Sequence, residues 1–556
     1  MRAAREIGPG RASAIQGVAI RAESFSLSRH PQGERSDPVS PAPGSARISL
    51  IRYSPSLVLV LIMVADAMRY ADTDLWGHVR FGQAMLSQRH LVLRDPYSYS
   101  APGHLWRNHE WLCEVLMAAL YNALGVAGLK LMKLLASAAT MVLLVAGVAE
   151  TGAPAAIQLP ILTLAAVSLA PQMQFRPQLF TFVFLAGLLA ILARDNYGRR
   201  APLWIAIPLL ALWANLHGGF IAGVATLGTY GVFKLAGDLA AGRGSRRGLR
   251  VLSIAAGATI ATLITPYGID AWYAVGHALA NPVTRIAVAD WQPLYAAMIL
   301  SWGTSPAGLV YFASMLAMLS GLAYCAARTP RQGDLPLLAV AALMAVAAFL
   351  SARNIALFVI AAAGPLARHL SAIRSRGSSQ NTGGPPDTAG ERASIGPGVG
   401  FAVAIALAAY TGLFSNRLVG STPFPAGAVA FMQQHGLGGN LLGDFNWGEY
   451  LIWHNAPRSR VFIDGRYDTV YPKRILEIFF AFNYGQPGAE IAITRFPTDY
   501  VLIAPDIGAR KFMDSRKDWR LLYSDAWSRL YARTDSPAAH IPGIPVAGTA
   551  RQVVFP

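Results

Sequence analysis

Residues 70–86 read YADTDLWGHVRFGQAML, placing two carboxylates, Asp72 and Asp74, directly after an apolar run, with His78 and Arg80 close behind. A carboxylate within hydrogen-bond reach of a hydroxyl or amine can take its proton as that group attacks an electrophilic carbon. A plainer role stands beside the chemical one. Either Asp can cap the helix that the spacing of Leu75, Val79, Gly82 and Leu86 predicts. A second acid cluster, His109 and Glu110 in WRNHEWLCEVLMAALY, closes the same hydrophilic stretch, and His78 is counted with it.

These residues sit in a chain of 556 residues that is 54% hydrophobic and only 14% charged, which excludes a soluble globular protein. Apolar runs near 50–68, 127–148, 157–172, 177–193, 202–216, 219–236, 251–266, 306–325, 335–350, 354–370 and 398–415 approach the roughly 20 residues that cross a bilayer as helix. The sequence thus predicts a polytopic α-helical membrane protein with about eleven transmembrane helices. The net charge of +17 comes from 47 Lys and Arg against 30 Asp and Glu, with the positives concentrated in short loops. Loops 194–200, 234–250, 326–334 and 368–376 carry them, and loop 149–156 does not. The positive-inside rule then sets the N-terminal tail in the cytoplasm and puts 69–111, 266–305 and everything after 416 outside, without any need for nucleic acid. The location expected is the bacterial cytoplasmic membrane. Cys113 and Cys325 have no spacing that supports a disulfide or a metal site.

The expected organisation is a disordered basic tail (1–47), a membrane core (48–370) with its outer loop 69–111, a flexible linker (371–397) and a last span (398–415). A small outer α/β domain (416–534) and an extended tail (535–556) follow. In that domain PAGAVAFMQQHG reads as a helix, RVFID, DYVLIA, WRLLYSD and SRLYAR as strands, and 473–483 and 507–514 as helical. No GxGxxG is present, so a dinucleotide has no support.

Cations placed at span ends are the counterpart of the acids. Arg176, in PQMQFRPQLF, and Arg353, in SARNIALF, are candidates to hold a phosphate, with lipid snorkelling as the alternative. Asn215 and His217, in WANLHGGF, and Asn354 are expected at a cavity mouth, and loop 266–305 brings Tyr267, Asp290 and Trp291. The stretch GDFNWGEYLIWHNAPRSRVFIDGRYDTVY offers Asp444, Trp447, Tyr450, Asp464, Arg466 and Asp468 as acceptor-binding candidates, or as a structural ion-pair network.

The order of acid pair, surface helix, turn-rich stretch, Trp-containing helix and ALGVAGLKLMKLL resembles the GT-C fold glycosyltransferases, which use polyprenyl-phosphate-linked sugars. RPQLF resembles an Arg-Pro stretch of many GT-C-like bacterial proteins, and the 444–468 stretch is similar to the WWDYG region of oligosaccharyltransferase subunits, with one Trp missing. RNHEW stands where many relatives carry a proline-rich motif. The resemblance implies that an acid of the first outer loop, Asp72 or Asp74, activates the acceptor or helps hold a metal. It further implies transfer of a sugar from a polyprenyl-linked donor in the membrane lipid to a glycan, lipid or protein acceptor. A transporter or flippase of a lipid-linked or anionic solute, and a non-catalytic assembly protein on the same scaffold, are the alternatives.

Overall fold

The computed structural model describes residues 70–283, 289–300, 305–330, 333–378, 417–420, 423–542, 544–545 and 553–556. The expected tail 1–47, the spans at 50–68 and 398–415, and most of the linker 371–397 lie outside them.

Long apolar helices dominate the first half, and six of them are long and apolar enough to cross a membrane: Val126–Ala149, Ala155–Gln172, Gln178–Asn196, Phe220–Ala240, Gly308–Arg328 and Ala352–Arg376. Leu203–Leu216 and Leu335–Leu350 are apolar but shorter, and Arg246–Ala261 fills a further expected span. Helices therefore occupy nine of the eleven predicted positions. Two of these helices contain a proline, Pro160 and Pro365. The helix Ile355–Ser378 carries on past residue 370, so the start of the expected linker is helical.

The strands among the described residues are β1 (Tyr70–Ala71), β2 (Leu418–Gly420), β3 (Gly439–Gly443), β4 (Ser459–Val461), β5 (Tyr500–Ile503), β6 (Trp519–Ser524), β7 (Arg529–Arg533), β8 (Ile544–Pro545) and β9 (Val554–Phe555). Six form a mixed sheet in the order β4-β3-β5-β7-β6-β8, parallel across β4, β3 and β5 and antiparallel at β7. Strands β4 to β7 fall where the β-rich runs predict them, apart from the buried β3. Its GNLLG sequence shows too few apolar residues to announce a strand.

A three-stranded ribbon, β1-β2-β9, ties the two halves of the chain together. Tyr70 and Ala71 pair with Val419 and Gly420, and Val419 pairs with Val554. The expected tail 535–556 is extended at β8 and β9, but there it is paired. Phe555 is buried, with its ring 5.1 Å from that of Trp76. Trp76, on the helix Leu75–Gln88, also meets Phe424 at 4.5 Å and Tyr450 at 5.7 Å. One apolar core thus runs from the stretch after β1 into the sheet, and the boundary expected at 416 does not divide it. The acids after β1 start from a strand fixed on one side by the sheet-bearing half and lead into a helix fixed by the same core.

Candidate functional site

Arg176 emerges from the turn between the helices Ala155–Leu169 and Gln178–Asn196, and its guanidinium meets three carboxylates from two other segments. Nε lies 2.8 Å from Asp72 Oδ1, Nη2 3.1 Å from Asp74 Oδ2 and Nη1 2.9 Å from Asp290 Oδ2. The planar donor fork explains why arginine suits this place. The two sequence neighbours have different jobs. Asp72 Oδ1 also accepts the backbone N–H of Asp74, which shapes the turn into the helix Leu75–Gln88. Asp74 makes no side-chain cap bond and lines the cavity described below. Burial, with the adjacent charge of Asp72, raises the Asp74 carboxyl above its ordinary value despite Arg176.

The second acid cluster sits beside it. Glu110 Oε1 lies 3.7 Å from His109 Nε2 and 3.6 Å from His217 Nε2. One turn further on the same helix face, Glu114 receives Asn108 Nδ2 at 2.5 Å and faces His78 Nδ1 at 3.5 Å. Burial works against a charged His78, but the bond to Glu114 and the charges of Glu110 and Asp74 raise it to about 9. His78, Glu110 and Glu114 present ligand atoms all within 4.8 Å of one another, a donor set fit for a divalent cation. The pair Asp72 and Asp74, the ligands considered should a cation bind, is already engaged by Arg176.

His217 is held by a buried chain of hydrogen bonds. Trp213 Nε1 donates to Thr181 Oγ1 (2.9 Å), and Thr181 in turn lies 2.7 Å from His217 Nδ1, which also accepts the N–H of Gly219 at 3.0 Å. A ring nitrogen that accepts cannot carry the proton, so the proton sits on Nε2, facing Glu110. Burial pulls this imidazole down to about 3, so it stays neutral.

One cavity of about 690 Å³ joins these groups. Its polar centre holds Asp74, His78, Glu110, Glu114, Asp290 and Arg176, with His109, His217, Arg353 and Asn354 around it. Arg353 bonds through Nη2 to Gln178 Oε1 (3.0 Å) and lies 4.5 Å from the Trp291 ring centroid. Toward the bundle the lining turns apolar, with Ile221, Val275, Leu279, Leu343, Met344 and Leu357. Toward the sheet it comprises Asp444, Phe445, Asn446, Tyr467, Asp468 and Glu449. Gly465 allows that wall to approach. A Cβ there would stand 2.8 Å from Glu449 Oε1 and 2.9 Å from Asp74 Oδ1.

The remaining sequence candidates divide clearly. Asn215 uses its side chain to hold helices together, accepting Trp111 Nε1 at 3.1 Å and donating to the carbonyls of Ala211 and Ile264, each at 2.8 Å. It is not among the cavity-lining residues, and neither are Trp447, Tyr450 and Asp464. Trp447 donates to the Pro423 carbonyl, Tyr450 packs on Trp76 and Phe424, and Asp464 is bonded to Arg466 at 2.8 and 2.7 Å. Asp444 and Asp468 line the cavity. Arg466 touches it too, but reaches Asp95 Oδ1 at 2.8 Å and is enclosed by the rings of Phe81, Tyr97 and Trp106. Sequence reasoning passed over Glu114 and Tyr467, and noted Glu449 as the acid of the Trp-acid-Tyr order without making it a site candidate. An acid four residues after Glu110 on an apolar helix is a signal for the first. Nothing local marks Tyr467.

No family model matches the sequence, and no curated protein is significantly similar to it. Among solved structures the chain is similar to the oligosaccharyltransferase of Archaeoglobus fulgidus. The apo form gives a TM-score of 0.51 at 15% identity over 87% of this chain and 74% of that one. The form tethered to an acceptor peptide containing the NVT sequon gives 0.50 at 14% identity over 80% and 68%. The arabinofuranosyltransferase AftD from Mycobacteria follows, with a TM-score of 0.48 at 15% identity over 87% of this chain and 40% of that one. ArnT from Cupriavidus metallidurans, bound to undecaprenyl phosphate, gives 0.42 at 12% identity over 88% and 98%. At such identities the likeness is one of fold, and the fold is that of the GT-C membrane glycosyltransferases, as the sequence resemblance implied.

Proposed function

We propose that the chain is an inverting glycosyltransferase that moves a sugar from a polyprenyl phosphate or diphosphate carrier to an acceptor on the outer face of the cytoplasmic membrane. The observation that carries this reading is the make-up of this cavity: apolar on the bundle side and charged at its centre. The apolar wall suits a lipid tail, and Arg353 is placed to take the phosphate, because the three carboxylates already around Arg176 oppose an anion there.

Asp74 takes the acceptor proton as the acceptor oxygen or nitrogen forms its bond to the anomeric carbon, and the bond from that carbon to the phosphate oxygen breaks. The electron pair leaves with the phosphate, whose charge Arg353 offsets. The raised basicity of Asp74 fits a base better than an acid held low would. Asp72 and Asp290 keep Arg176 in place, and Arg176 orients Asp74. His78, Glu110 and Glu114 would hold a divalent cation, which would supply positive charge to offset that of the leaving phosphate.

The test is carrier analysis by mass spectrometry in cells lacking the gene, complemented with Asp74→Asn or Asp72→Asn. Asp74→Asn is expected to leave the sugar on its carrier, with transfer reduced by about 10²–10⁴-fold. Full transfer by Asp74→Asn removes the assigned base.

A further inference from the structure

The sheet-side wall of the cavity is built of aromatic rings in series. The Tyr467 and Phe445 centroids are 4.5 Å apart, Phe445 and Phe480 6.1 Å, and Phe480 and Tyr484 6.0 Å with their planes only 17° from parallel. All four rings line the cavity. Tyr467 stands at the inner end. Its neighbour Gly465 abuts Asp74, and the charges of Asp74, Arg176 and Asp290 act on its hydroxyl. Tyr484 stands at the outer end and is 51% exposed. The series therefore leads from the proposed base to solvent.

Tyr467 has a left-handed backbone, with φ of 41°. A bulky side chain tolerates that conformation only where its surroundings hold it, and such strain collects at ligand sites. Asn446 and Asn483 line the cavity with the rings; Asn446 bonds Asp444, and the Asn483 side-chain amide has no hydrogen-bond partner among the described residues. Among the described residues the acids on this wall are Asp444, Glu449 and Asp468, and its one cation, Arg466, is bound to Asp464 and Asp95.

We infer that this wall is a binding site for a neutral oligosaccharide, so that the acceptor is a growing glycan. The inference rests on the transferase reading for the word acceptor, while the binding itself does not. A sugar ring offers C–H groups on its face and hydroxyls around its edge. Aromatic rings cover the first, and the Asn483 amide with the remaining lone pairs of the wall's carboxylates bonds the second. A nucleotide or an acidic glycan would need cations here, whereas Arg176 and Arg353 stand at the cavity centre and Arg466 is bound to Asp464 and Asp95. A ring series ending in solvent leaves the far end of a longer chain free, with its reactive end beside Asp74.

Saturation-transfer NMR on the full chain in nanodiscs tests this with four probes, the tetrasaccharides of the manno-, cello-, malto- and chito- series, and an unglycosylated peptide as the comparison. At least one tetrasaccharide is expected to bind, with about tenfold weaker affinity in Tyr484→Ala and in Asn483→Ala. Asp74→Asn is expected to bind it unchanged while failing in transfer, which separates this inference from the transferase reading. Tyr484 is exposed, so its removal leaves the core intact. No binding by any of the four, equal binding by both variants, or preference for the peptide overturns the proposal.

Discussion

Arg466 and Asp95 form an ion pair 2.8 Å long between segments far apart in the chain, with side chains only 4% and 0% exposed. Asp464 completes it from the other side at 2.7 Å, and Tyr471 donates to Asp464 at 2.6 Å. The turn-rich stretch RDPYSYS is thereby locked to the sheet, and Ser98 bridges to Val461. Removing one partner of such a pair strands the other charge without water. Arg466→Ala or Asp95→Ala is expected to cost about 3–5 kcal/mol, read as a lower unfolding midpoint of the protein in nanodiscs. Midpoints unchanged in both variants would show the pair to be idle.

Arg176→Lys keeps the charge but loses the fork that spans Asp72, Asp74 and Asp290. A single ammonium cannot hold three carboxylates in that geometry. Transfer is expected to fall by at least about tenfold, through the turnover number more than through acceptor affinity, in a comparison of initial rates. A wild-type rate in Arg176→Lys would leave Asp74 positioned without the fork.

Glu449 is buried and accepts the Gly77 N–H at 3.1 Å. Burial, then the charges of Asp74 and Asp464, hold its carboxyl well above the ordinary value of 4.5. The folded protein therefore keeps this proton to a higher pH than the unfolded chain does. Its contribution is fully present below about pH 4.5 and is lost as pH rises through the folded value. Glu449→Gln keeps an acceptor for Gly77 and cannot ionise. Its melting temperature should exceed that of the wild type by a margin that widens from pH 5 to pH 8, and a constant margin would contradict the assignment.

Gly82 faces the helix Trp111–Leu124, and a Cβ there would overlap the backbone carbonyl of Glu114. A backbone oxygen cannot step aside as a side chain can. Gly82→Ala is expected to push the two helices apart and destabilise the protein by about 1–3 kcal/mol, with loss of transfer because Glu114 moves with its helix. Thermal unfolding and transfer assays together check this.

Equilibrium dialysis against Mn²⁺ tests the cluster of His78, Glu110 and Glu114. The wild type is expected to retain one ion per chain, and Glu114→Gln or His78→Ala to weaken retention by at least about tenfold. Equal retention by the variants would place any bound ion elsewhere.

Much of the fold is legible in local pattern, because a helix or strand answers to residues a few positions away. The apolar runs from 126 to 376 and the strands RVFID, DYVLIA, WRLLYSD and SRLYAR show this. The buried strand β3 was missed, since GNLLG carries its signal in its neighbours β4 and β5 rather than in itself. The site was legible as residue types, in that Asp74, His78, Glu110, Arg176, His217 and Arg353 all meet at one cavity.

The sequence by itself determined a helical membrane protein whose acids and arginines gather at span ends, because hydrocarbon admits few charges and marks those it keeps. Tertiary structure alone decided what each acid faces. Asp72 and Asp74 look alike in the chain and Arg176 engages both, but a turn bond also holds the first, while the second lines the cavity. It also decided that Glu449 and Tyr467 belong to the site while Trp447 and Asp464 belong to the core. Those assignments depend on which segments the ribbon of β1, β2 and β9 draws together, and pairings between distant segments leave no periodic trace in a sequence.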